Sequence, residues 1–279
     1  MFLSAQMQEV SEEELSTISA QAGINVNYGD FGVHVSYDSI RISDTDHDPK
    51  NRIEFNNFSI SGPDGYFKLD CPEDFPMTID VGTITTIDSQ TKTVASFQLS
   101  DHINPRTWTI GNLVFCSQDL GNIVFDTSTV DPAYYMVSGR TAPGTGIEFE
   151  YLTKWLTNDF AYTYNTVGGS FHVNGIHLAE TASGTADDPS DPSTWEFSGY
   201  FRIGDVIGGQ IDSAASSPAT IDVATDTSTA TPTTSLYLNL PMKGTVRIAD
   251  VSLGGTSFGP VAIDGITVHH LGLKFGTSN

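Results

Sequence analysis

The chain has 279 residues, enough for one large domain or two smaller ones with a real core. Thirty-four acidic against 12 basic side chains leave a formal charge of −22. That balance argues against a nucleic-acid partner, which needs Lys and Arg, and an anionic membrane surface repels it.

Charged residues make up only 16%, yet 16 Phe, 10 Tyr and 3 Trp predict a folded chain, because disordered chains are poor in aromatics. An acidic composition rich in Gly, Ser, Thr and Asn suits an extracellular location and cation binding at the surface. No apolar run approaches the ~20 residues of a membrane helix, so membrane insertion is not expected. Residues 1–6, MFLSAQ, lack the basic start and long apolar stretch of a signal peptide. An exported chain is then either already processed or uses another route.

The first predicted element is a helix. Ser11 and Glu14 form a capping box, Val10 and Leu15 flank it as a staple, and Leu15, Ile18 and Ala22 share one face. Glu12, Glu13 and Glu14 suit the positive end of the helix dipole, and Gly23 closes the helix. From there the period changes to two. Ile24, Val26 and Tyr28 alternate, then Val33, Val35 and Tyr37, then Ile40 and Ile42 in a new phase. A second, short helix is predicted around 151–156.

An eight-residue pattern recurs: two alternating apolar residues, a small or polar pair, two more alternating apolar residues. It reads IEFNNFSI at 53–60, WTIGNLVF at 108–115, FHVNGIHL at 171–178, VRIADVSL at 246–253 and VAIDGITV at 261–268, with a weaker FRIGDVIG at 201–208. The middle pair shifts the alternation. Asn174-Gly175 and Asp264-Gly265 suit a two-residue hairpin turn, but Ala249-Asp250 does not. A bulge or corner fits every copy better. The 15-residue spacing of the last two copies would suit one coil of a β-solenoid. Residues 181–194 and 213–235 read as polar loops, the second with a short strand at 221–223.

Cys71 and Cys116 are the two cysteines. In an oxidising compartment they are expected to pair, a crosslink worth roughly 3–4 kcal/mol; two buried thiols are the alternative. The best candidate for ligand chemistry is SDTDHDPKN at 43–51. Asp44, Asp46 and Asp48 alternate, which puts three hard oxygen ligands on one side of an extended loop, as calcium prefers. It is no EF-hand, since Pro49 stands at the sixth position and Phe55 at the twelfth; the alternative is a solvated acidic turn. Asp187, Asp188 and Asp191 form a weaker acidic cluster.

The histidines, His172 with His177 and the adjacent His269-His270 included, give no convergent zinc set by spacing. No nucleophile elbow, phosphate loop or zinc-protease motif occurs. Thirty-four acidic residues single out no pair for glycoside hydrolysis. Trp108, Trp155 and Trp195 would stack on sugars if exposed, and pack in a core otherwise.

Residues 9–24, EVSEEELSTISAQAGI, resemble the start of a family of secreted proteobacterial proteins with a β-rich body. The matching positions are Glu14, Leu15, Ser16, Ile18, Ser19, Ala20, Gln21, Gly23 and Ile24. Some members are described as pilus-system or filament proteins, so the resemblance implies a Gram-negative outer surface and a structural role, with no catalytic residue.

Together these readings predict an all-β fold, a sandwich, roll or short solenoid, behind one N-terminal helix. The division is a helical segment at 1–23, an exchangeable strand at 24–42 and a β body at 43–279. The expected function is a self-assembling, non-catalytic subunit of a surface fibre. A calcium- or carbohydrate-binding adhesion module is the alternative, and a secreted hydrolase a distant third.

Overall fold

The structure is a computed structural model that describes residues 23–26, 28–43, 52–71, 77–99, 105–130, 133–139, 145–181, 187–226 and 233–276. It is all-β, with 72% of residues in strands. The strands are β1 (Ile24–Val26), β2 (Tyr28–Val33), β3 (Val35–Ser43), β4 (Arg52–Ser61), β5 (Phe67–Cys71), β6 (Met77–Thr85) and β7 (Thr91–Leu99). Then come β8 (Arg106–Phe115), β9 (Gln118–Val130), β10 (Ala133–Gly139), β11 (Thr145–Thr153), β12 (Trp155–Tyr164), β13 (Gly169–Thr181), β14 (Phe197–Gly199) and β15 (Phe201–Ile203). The last are β16 (Ala219–Asp226), β17 (Thr233–Asn239), β18 (Met242–Leu253), β19 (Thr256–Ser257), β20 (Val261–Val268) and β21 (Gly272–Gly276). The predicted N-terminal helix lies outside the described residues. The helix predicted around 151–156 is not formed: those residues end β11 and begin β12, because Tyr151 and Trp155 find ladder partners in Tyr135 and Leu178.

Every ladder is antiparallel. One eight-stranded run is β3-β4-β8-β9-β12-β13-β18-β20. A second is β1-β6-β7-β10-β11-β16-β17-β21. Short β15 pairs with β11 on one side and β18 on the other, and so joins them. The solenoid coil expected from the 15-residue spacing is not formed, since β18 and β20 pair antiparallel and successive solenoid coils pair in parallel.

The recurring octets explain the first sheet. Octet 53–60 mates end to end with 108–115, from Ile53 opposite Phe115 to Ile60 opposite Trp108. Octet 171–178 mates in the same way with 246–253. On the other side, the middle pair opposes a single residue, which is a β-bulge. Gly111-Asn112 faces Asn122, Asn174-Gly175 faces Asp159, and Asp264-Gly265 faces Thr245. The bulge predicted from the phase shift is therefore present in three copies, inside continuous strands.

The bulge lets both apolar pairs of an octet face the same way. Val35, Ile60, Trp108, Phe125, Phe160, Val173 and Val251 lie opposite one another across seven strands. Tyr37, Phe58, Ile110, Ile123, Tyr162, Phe171 and Leu253 form the parallel row. Cross-strand pairs of this kind are the unit of sheet stabilisation, each worth about 0.2–1 kcal/mol.

The deepest apolar packing sits where β15 joins the two runs. Phe201, Val206, Ile211 and Ala219 are buried there, and Ala179 is fully covered. Gly244 permits it: a Cβ at that position would lie 2.5 Å from the Phe201 ring. The second run buries several carboxylates, as β4 of the first does with Glu54. Glu148, Glu150 and Asp222 are buried, while the cross-strand row Val223, Leu236 and Phe275 is exposed.

Candidate functional site

The stretch 24–42 forms three strands, each paired within the chain. Ile24 and Val26 pair with Ile79 and Met77 of β6. Tyr28 and Val33 pair with Cys71 and Phe67 of β5. Val35, Tyr37, Ile40 and Ile42 pair with Ile60, Phe58, Phe55 and Ile53 of β4. An exchange of the whole stretch between copies would first have to break these ladders. β3 itself is a terminal strand: among the described residues it pairs with β4 alone, and Tyr37, Ile40 and Ile42 are exposed. At the other end of the same run, and again among the described residues, β20 pairs with β18 alone, and Val261 and Ile263 are exposed.

The structure also reveals an octet that the sequence pattern did not single out. Residues 35–42, VSYDSIRI, mate end to end with 53–60, Val35 opposite Ile60 and Ile42 opposite Ile53. The phase change between Tyr37 and Ile40 was its signature.

Asp44, Asp46 and Asp48 lie outside the described residues, as does the side chain of Cys71. Cys116 carries a free thiol in the two-residue turn between β8 and β9. The second acidic cluster divides its work. Asp188 accepts hydrogen bonds from the Ser190 amide and hydroxyl, and Asp191 caps the 3-10 turn Pro192–Thr194 by accepting from Ser193. Asp187 pairs with Arg247 of β18, which is buried, grips Asp264 through two 3.0 Å bonds and lies over the Trp195 ring. Residues 187–197 thus form a strap tied to β18, with His177 stacked on Phe197 at 4.9 Å.

Two of the larger clefts among the described residues carry titratable groups. The larger, about 690 Å³, is lined by Glu148, Asp222, Tyr237, His269, His270 and Lys274. Glu148 is held there by Lys92 at 2.5 Å. The smaller, about 440 Å³, is lined by Phe97, Tyr134, Tyr135, Glu150, Leu152 and Arg202. Burial pushes the Glu150 carboxyl above its ordinary value, against the opposing pull of the Arg202 guanidinium and the Val206 amide. Burial, with Tyr151 stacked beside it at 4.6 Å, pushes the Tyr135 phenol up to about 12.

Asp205 is fully buried. It accepts from the amides of Gly208, Gln210 and Ile211, and so organises the loop after β15. Both oxygens of Glu150 and both of Asp205 are occupied by protein donors. That suits a structural or ligand-orienting role better than proton transfer, which needs a lone pair turned to the substrate.

Among the described residues no three His, Cys, Asp or Glu converge to hold a metal. No helix among them is long and apolar enough to cross a membrane. Comparison with protein-family models, curated proteins and solved structures finds no match.

Proposed function

We propose that this chain is a structural subunit of an extracellular, cell-surface fibre that grows by self-association of its β-sheet. One observation carries the reading: among the described residues, the eight-stranded run ends in two open strands of nearly equal length, nine and eight residues, on the same molecule. Open strands are templates for a further chain, and soluble proteins ordinarily cover or shorten them. The resemblance of residues 9–24 to secreted filament-type proteins supports the same reading, as does the acidic composition. Negative-stain microscopy of the purified chain tests it. Regular filaments are the expected result, and monodisperse particles at every concentration and salt condition would remove it.

A secreted adhesion module is the second reading. The cleft at Glu150 favours it, since aromatic faces beside a carboxylate–guanidinium pair suit a sugar ring. Calcium at Asp44, Asp46 and Asp48 belongs to this reading as well, and would show as a melting temperature lowered by chelator. A Cys71–Cys116 disulfide would fit either, but it requires the Cys116 thiol, free in this structure, to be oxidised.

A further inference from the structure

We infer that copies of this chain join through β3 of one and β20 of the next, with octet 35–42 mated end to end to octet 261–268. The inference rests on the fibre reading and specifies its junction.

Inside the molecule three of the four octet pairs meet in one register, and only 246–253 with 261–268 departs from it. In β3 with β4, β4 with β8 and β13 with β18, the first residue of one octet opposes the eighth of the other. Octet 35–42 has one side so engaged and its outer side open among the described residues. Octet 261–268 is not mated in this register at all: its inner ladder with β18 is slipped, Val261 opposing Ile248 and Ile263 opposing Val246. Applied between copies, the register of the three pairs sets Val35 opposite Val268, Tyr37 opposite Ile266, Ile40 opposite Ile263 and Ile42 opposite Val261.

The middle pairs agree. In two of the three mated pairs a glycine at the bend accommodates the residue across from it: a Cβ on Gly111 would lie 2.9 Å from Asn57 Cβ, and one on Gly175 would lie 2.7 Å from Ala249 Cβ; β3 and β4 mate without one, Ser39 opposing Asn56. Gly265, with φ 66, holds the equivalent place in β20, and nothing lies within 4 Å of a Cβ built there. The inferred register puts Asp38 of the next copy at that position.

Strand direction agrees too. Eight antiparallel strands leave β3 and β20 running oppositely. A copy displaced sideways along the sheet therefore presents its β3 antiparallel to β20 with the same face up. The contact uses two different edges, so it does not close on itself and propagates as a fibre. Eight strands at about 4.8 Å each set a repeat of about 38 Å per subunit along the sheet.

The test blocks one edge at a time. Tyr37→Lys with Ile40→Lys places charge on the β3 edge, and Val261→Lys with Ile263→Lys on the β20 edge; all four side chains are exposed, so each variant should fold, with a melting temperature lowered only by lost cross-strand pairs such as Tyr37 with Phe58. Each variant alone is expected to stay monomeric at ten times the parent's critical concentration. Mixed one to one they should form dimers and stop, because one intact β3 and one intact β20 remain. For the register, chains carrying Ile40→Cys and Ile263→Cys, in a Cys71→Ser, Cys116→Ser background, should crosslink on mixing and oxidation, whereas Ile40→Cys with Ile266→Cys should not. A parent that never polymerises overturns the fibre reading itself. Parent filaments together with polymerising variants, a monomeric mixture, or crosslinking only in the offset pair, overturns this junction alone. If a lysine variant fails to fold, the crosslinking result decides.

Discussion

At the scale of single residues, the turn between β8 and β9 departs from its ordinary chemistry. A two-residue hairpin turn with positive φ at both positions favours Asn-Gly or Asp-Gly. Here Cys116 has φ 50 and Ser117 has φ 66. A left-handed residue with a Cβ costs roughly 1–2 kcal/mol. Ser117→Gly is therefore expected to stabilise the fold by about 1 kcal/mol, visible as a melting temperature raised by about 2–4 °C for a chain of this size class. An unchanged or lower melting temperature would show that the loop tolerates this backbone without strain.

His177 supplies a pH dependence. Burial holds its imidazole below the ordinary value; the Arg247 charge adds to this and the Gly175 carbonyl opposes it. In the window between the ordinary value and the lowered one, the unfolded chain binds the proton and the folded chain does not. Stability therefore falls as pH drops through that window. The loss of melting temperature between pH 7.5 and 5.5 should be smaller in His177→Gln than in the parent. Equal losses would assign the acid sensitivity to other groups.

At the scale of elements, the strap at 187–197 depends on one cation. Arg247→Ala would leave Asp187, only 13% exposed at its side chain, without its partner, and Trp195 without the guanidinium over its ring. Removing one member of a buried pair costs about 3–5 kcal/mol. Asp264 is more exposed, so the lower end is expected. Differential calorimetry and new protease cleavage within 187–197 would register it; a parent-like melting curve would mean that the strap is held by its aromatic contacts instead. An arginine amid the apolar residues of VRIADVSL was the sequence's hint of such a role, but its acidic partners lie 60 and 17 residues away. The octets were legible for the opposite reason: bulge and alternation are local, so two apolar pairs about a polar pair announce them. The supposed helix at 151–156 failed because cross-strand partners, invisible in a local window, decided its conformation.

At the scale of the whole molecule, charge opposes the assembly that the sheet edges invite. A subunit of −22 repels its copies, while the inferred junction pairs apolar side chains. Salt shortens the range of that repulsion to about 10 Å at 0.1 M. Filament growth, followed by light scattering, should therefore quicken as ionic strength rises from about 10 to 150 mM. Slower growth in salt would point to a junction built from ion pairs.

The sequence alone determined the all-β class, the bends inside the octets and the acidity of the surface, because side-chain period, turn chemistry and charge are written residue by residue. Only the tertiary structure decided that 24–42 becomes three separately paired strands and that Glu148, Glu150 and Arg247 are buried with partners. It alone also left β3 and β20, among the described residues, as the terminal strands of one antiparallel run. Those outcomes depend on which distant strands meet, and antiparallel pairing selects partners by register across the fold, which no local pattern encodes.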